Sequence, residues 1–137
     1  MIQQATLPEQ LIELFVVRRE VFVREQGVPE DLEYDEFEED AKHYGYWMDG
    51  KVVACARWRL VNGKAKVERC AVLKPYRKKN IGAKLVAYVI DTIPTTYQIY
   101  LHAQTSALGF YSRLGFEAVG QEFEEAGIFH FKMVLMR

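Results

Sequence analysis

Two rhythms of apolar and polar positions alternate along this chain, one fitting helices and the other strands. Residues 8–27, PEQLIELFVVRREVFVREQG, set Leu11, Leu14, Phe15, Arg18, Phe22 and Glu25 three or four positions apart. The stretch opens on Pro8 and stops at Gly27 and Pro29, which predicts an amphipathic helix with one polar edge. QATL, residues 4–7, reads as a short strand before it. Three strand-like runs follow, KHYGYWMD, KVVACARWRL and KAKVERCAVL, joined by Asp49-Gly50 and Asn62-Gly63. Both dipeptides accept the positive backbone angles of two-residue hairpin turns, so the runs form an antiparallel meander. Such turns fix the register: paired residue numbers sum to 99 across the first and to 125 across the second. On that count Cys55 faces Cys70, Arg57 faces Glu68, and His43, Ala56 and Arg69 share one row.

The helical rhythm returns in IGAKLVAYVIDTI, residues 81–93, and ends at Pro94, before the strand-like YQIYLHAQ. A strand, helix, strand crossover makes the strands around residues 65–73 and 98–103 parallel neighbours in one sheet. SALGFYSRLG then predicts a short helix closed by Gly115, and FEAVGQEF and IFHFKMVLM are two last strands. The pattern contains no repeat or linker, so one mixed α/β domain over residues 1–137 is expected.

Composition narrows the class. The 137 residues are 50% hydrophobic and 13% aromatic, enough for one packed core, and none of the chain reaches the ~20 unbroken apolar residues of a membrane helix. The start shows no leader pattern, and two cysteines are too few for a disulfide scaffold, which points to the cytoplasm. If Cys55 and Cys70 face each other they form either a strained cross-strand disulfide under oxidation or two reduced core thiols.

A net charge of -1 hides two opposed segments: residues 30–40 hold eight acids and no base, and residues 74–84 hold five bases and no acid. Each is either a solvated loop or a grip on an ion of opposite sign. Asp31, Glu33 and Asp35 have calcium-loop spacing, but the sixth position lacks glycine and the twelfth is Lys42, so no metal site is expected. Five bases in one turn of a net negative chain do not make a nucleic-acid surface. A strand whose end turns into a helix does present free N–H groups and the positive end of the helix dipole to an anion, with Gly82 allowing close approach. The loop is neither a Walker A nor a Rossmann loop.

VERCAVLKPYRKKNIGAKL, residues 67–85, resembles the coenzyme-A-binding motif of the GCN5-related (GNAT) N-acetyltransferases: Arg77 fills its first position, Ile81 the apolar one and Gly82 the last, while Asn80 replaces the usual glycine. QTSALGFYSRLGF, residues 104–116, resembles the family's later motif through Ala107, Phe110, Tyr111, Leu114, Gly115 and Phe116, with Gln104 in place of asparagine. RREVFVREQGVP, DAKHY and EEAGIFHFKM extend the resemblance to the ElaA-type branch and to nearly the whole chain, with Phe129 where that branch has proline.

The resemblance implies a GNAT-like sheet, mixed and mostly antiparallel, of six to seven strands with about four helices and one parallel pair splayed at the coenzyme site. It implies acetyl transfer from acetyl-CoA to an amine acceptor, a small molecule or a peptide, by direct attack through a tetrahedral intermediate, in a monomer or homodimer without nucleic acid or membrane. The alternative is an acyl-CoA sensor of the same fold without transfer. Cys70, Ala71, Val72, Arg77, Lys78, Lys79, Asn80, Ile81, Gly82, Ala83, Gln104 and Phe110 would hold the coenzyme, with a strand bulge at Cys70–Val72 freeing the Val72 N–H for the oxyanion. Tyr111 would protonate the leaving thiolate; its duller reading is a core aromatic. For the base, Glu68, His130 and His43 stand equal, although an ion pair with Arg57 would make Glu68 a poor one. Arg18, Phe22, Glu25, Gln26 and Arg69 would meet the acceptor, and the acidic run would attract it as a cation.

Overall fold

The computed structural model describes residues 1–137. Seven strands, β1 (Ile2–Ala5), β2 (Lys42–Met48), β3 (Lys51–Val61), β4 (Lys64–Val72), β5 (Ile99–Gln104), β6 (Phe116–Glu125) and β7 (Ile128–Leu135), form one sheet in the order β1-β2-β3-β4-β5-β7-β6. All neighbours are antiparallel except β4 and β5. Four helices accompany them: α1 (Pro8–Arg18), α2 (Glu30–Glu33), α3 (Ile81–Thr92) and α4 (Leu108–Ser112).

The strand sequences explain the layering. β3 is apolar without alternation from Val52 to Ala56, as a strand covered on both faces should be. Leu14 and Val17 of α1, with Val21, pack on one face against Val52, Cys55 and Ala71. Ile81, Leu85 and Val89 of α3 pack on the other against Val53, Ala54 and Val67, and Tyr111 of α4 joins that side. Gly45 is where α1 meets β2: an added Cβ there would lie 2.8 Å from Leu14 and 2.5 Å from the Trp47 ring.

The 125 register holds from Val61↔Lys64 to Arg57↔Glu68, and then slips by one. Ala56 is left opposite both Arg69 and Cys70, and Arg69 takes a left-handed backbone, φ 56°. The bulge therefore sits at Arg69–Cys70, not at Cys70–Val72, and Cys55 pairs with Ala71 rather than Cys70. A second slip between Tyr46 and Trp47 aligns His43 with Arg57 instead of Ala56, so the row reads His43, Arg57, Glu68. An extra residue reverses the side-chain alternation beyond it. That reversal turns Cys70 to the α3 face and Ala71 to the α1 face.

Two further expectations shift. The first strand is Ile2–Ala5, because Leu7 already caps α1, and the long helix changes to π-helical winding at Arg19–Glu25, with Gln26 donating to the Val21 carbonyl at 3.2 Å. The wider turn lets the successive residues Val21 and Phe22 both pack against the sheet, which α-helical spacing would separate by about 100°.

Candidate active site

β4 and β5 pair only from Ala65↔Ile99 to Val67↔Leu101, and beyond Glu68 they part. The gap opens into a cleft of about 1060 Å³, lined from both faces of the sheet. Val72 and Ala54 form a non-hydrogen-bonded pair, since Leu73 donates to the Val53 carbonyl at 2.9 Å. The Val72 N–H therefore points away from β3 and into the gap.

The α3 side of the gap carries the coenzyme candidates. Lys78 and Asn80 both have left-handed backbones, φ 64° and 61°, and the N–H groups of residues 78–83 find no partner within the chain. Successive free N–H groups at a 12-residue helix's start, without an acid in its first turn, form a concave anion cradle. The residues thus fit a pyrophosphate. Lys78, Asn80, Ile81, Gly82 and Ala83 line the cleft, whereas Lys79 leans over the Tyr76 ring, 5.7 Å from its centroid. Arg77 also lines the cleft, but its guanidinium is engaged by both oxygens of Glu25 at 2.9 and 3.0 Å and by the Val72 carbonyl at 2.9 Å. Gly82 serves packing as well as access: a Cβ would meet Val72 at 3.3 Å and Phe110 at 3.4 Å. Tyr111 lies edge-on to Phe110 and beside the Cys70 thiol, and burial, with that thiol's help, raises its phenol well above its ordinary pKa. It keeps its proton. Burial likewise pushes the Cys70 thiol to about 11 and Cys55 to about 12, and both are free.

The α1 side is where expectations change most. Arg18 is buried and donates to Glu33 and Glu38 at 2.7 Å, away from the cleft. Burial works against its charge, and the hydrogen bonds to Glu38 and the attraction of Glu33 outweigh it. Arg57, Arg69, Asp35 and Glu68 continue the network, so Glu33, Asp35 and Glu38 tie the acidic segment to the sheet instead of waiting for a cation. Arg69 lines the cleft while paired with Glu33 and Asp35. Glu68 also lines it, yet Arg57, Arg59 and Lys66 all lie within 3.2 Å. Burial opposes its charge, but these cations hold its carboxyl below the usual range. His43 is buried outside the cleft, its Nε2–H donating to the Glu38 carbonyl at 2.7 Å, so it is removed from the base candidates. Phe22, Gln26 and His130 do line the cleft; Glu25 is spent on Arg77. Gln26 and Gln104 meet across it, Gln104 Nε2 donating to Gln26 Oε1 at 2.7 Å.

Sequence reading missed His102 and Glu125. Both line the cleft with His130, Glu125 lying 3.6 Å from His102 and 3.9 Å from His130. The signal was strand alternation: His102 follows Tyr100 and precedes Gln104 on one face of β5, and Gln104 pairs with His130.

Residues 3–137 match the family model of the acetyltransferase (GNAT) domain. The chain belongs to the GNAT acetyltransferase family. Among similar proteins, YyaT of Bacillus subtilis is 39% identical, the match covering 96% of this chain and 93% of that protein. The N-acetyltransferase YjcF of the same organism is 37% identical, covering 92% of each, and ElaA of Escherichia coli is 30% identical over 90% of this chain and 86% of that one. The crystal structure of Escherichia coli ElaA superposes with a TM-score of 0.86 over 99% of both chains at 26% identity. PaiA N-acetyltransferase of Thermoplasma acidophilum, solved in complex with coenzyme A, shares the fold at a TM-score of 0.73 and 18% identity over 100% of this chain and 99% of that one. No helix of this GNAT chain is long and apolar enough to cross a membrane.

Proposed function

We propose that this chain, as a single domain over residues 1–137, moves an acetyl group from acetyl-CoA to an amine. The observation that carries the reading is the gap between β4 and β5, which joins the free N–H cradle of residues 78–83 to a half-buried, protonated Tyr111. Acetyl-CoA supplies an activated acetyl thioester. The cradle, with the charge of Lys78, would hold the pyrophosphate, and Cys70–Val72, Phe110 and Gln104, which line the cleft, would hold the pantetheine arm. The Val72 N–H donates to the carbonyl oxygen as charge develops there. Tyr111, on the α3 face, gives its proton to the departing sulfur. The amine enters from the α1 face past Phe22, Gln26 and Arg69 and loses its proton on that side, where His130 and Glu68 stand. Acid and base then sit on opposite faces of the sheet, so the amine and the thiol do not compete for one opening. Arg77 turns from Glu25 to phosphate when the coenzyme binds. The reduced thiols suit the cytoplasm, which we propose as the compartment.

Thiol release from acetyl-CoA across a library of amines, run beside Tyr111→Phe, tests the reading. Transfer to at least one amine, slowed about 100-fold in the variant with coenzyme binding kept, is the expected result. Binding without transfer to any amine would favour an acyl-CoA sensor.

A further inference from the structure

Glu68 has three cations around it and His43 is outside the cleft, so the α1 side needs a proton acceptor that is not already engaged. His102 is the first β5 residue past the last parallel pair, Val67↔Leu101, and so stands at the point where the strands part. Its ring is held edge-on by Phe123 at 4.9 Å and flanked by Tyr100 at 5.9 Å. Nδ1 is buried, has no hydrogen bond, and faces Glu125 Oε2 at 3.6 Å. A carboxylate only accepts, so Nδ1 carries the proton and Nε2 the lone pair. Nε2 is not among the buried unpartnered atoms, and the residue lines the cleft. His130 differs: its Nδ1–H is spent on the Ile128 carbonyl at 2.7 Å, its ring stacks on Phe123, and its Nε2 looks at Glu125 from 3.9 Å.

We infer that His102, oriented by Glu125, takes the proton from the acceptor amine, and that His130 is a positioning residue for Glu125. The inference rests on the acetyl-transfer reading above. In the step, the amine nitrogen bonds to the acetyl carbon as the carbon–sulfur bond breaks. The nitrogen's proton passes to His102 Nε2, and the sulfur takes one from Tyr111. The imidazolium then returns its proton to solvent, and the phenolate recovers one. The nearness of the His102 imidazole, 3.6 Å away, is the main cause that lowers the Glu125 carboxyl to about 2, so Glu125 stays anionic throughout and steadies the imidazolium. The other charged or titratable groups around His102 and Glu125 are Tyr100 beside the ring, Lys132 of β7 opposite His102, and His130 and Lys66, which act on Glu125. Lys132, paired with His102, leans over the Tyr100 ring, and Lys66 is turned to Glu68.

The test combines kinetics with a titration of the coenzyme-free protein. His102→Gln should cut kcat/KM about 100-fold and erase the acid limb of its pH profile, with coenzyme affinity and thermal stability kept. Glu125→Gln should cut kcat/KM about tenfold, because the imidazolium loses its anion, and in the absence of acetyl-CoA should release His102 from the Nδ1–H tautomer, as read by imidazole nitrogen NMR. His130→Gln should cost less than tenfold. A His102→Gln enzyme within twofold of the parent, or a Glu125→Gln protein whose rate and His102 tautomer match the parent's, would overturn the assignment alone. A parent protein that binds coenzyme and transfers to no amine would overturn the enzyme reading and this assignment with it.

Discussion

At the residue scale, Asn80 was the one position in the basic turn that departed from its motif, and its backbone shows why it serves. It holds φ 61° immediately before α3, a conformation that asparagine tolerates next best after glycine. Asn80→Val should destabilise the fold by about 1–2 kcal/mol in thermal unfolding and weaken coenzyme binding, while Asn80→Gly should leave both nearly unchanged. Asp35 carries a pH prediction. Burial opposes its charge, but hydrogen bonds and attraction from Arg57 win and hold its carboxyl at about 2, against 3.8 for a free one. A folded value below the unfolded one contributes stability above about pH 3.8 that is lost as pH falls through about 2. Asp35→Asn should lower stability at neutral pH and flatten the loss of circular dichroism signal across that acid window. Tyr111 and Gly82 were legible in the sequence because motifs fix them. The pairing of Glu33 and Glu38 with Arg18 was not legible, since ion pairs 15 and 20 residues apart leave no local pattern.

At the scale of elements, the hairpin arithmetic was right where each turn sets the register and wrong where a bulge interrupts it. Asn62-Gly63 fixes Arg57↔Glu68, but nothing local announces that Arg69 adopts a left-handed backbone in mid-strand. That residue shapes the gap, because it brings Cys70 round to the side of Tyr111 and leaves the Val72 N–H facing the gap. Deleting Arg69 should restore alternation, turn Cys70 away from the α3 face, and abolish acetyl transfer by more than loss of the guanidinium does, with Arg69→Ala as the comparison. α1 depends on a glycine in the same way. With Leu14 at 2.8 Å and the Trp47 ring at 2.5 Å from an added Cβ, Gly45→Ala should cost about 1–3 kcal/mol, read from denaturant midpoints.

At the scale of the whole molecule, the sheet is a partition. The β2–β3–β4 meander and the parallel β4–β5 pair were readable from periodicity and from the crossover, whereas the order β5-β7-β6 and the placement of α1 and α3 on opposite faces came only with the folded sheet. The cluster of His102, Glu125 and His130 was not readable either, because it joins the parting point of β5 to the far end of the β6–β7 hairpin, and only the folded sheet brings them together. The central claim is that the gap between β4 and β5 is the reaction centre. A crystal structure with coenzyme A bound tests it most directly: the thiol sulfur should lie in the gap within hydrogen-bond reach of the Tyr111 hydroxyl, with the pyrophosphate on the N–H groups of residues 78–83. A sulfur found outside the gap, or a pyrophosphate held elsewhere, would contradict it.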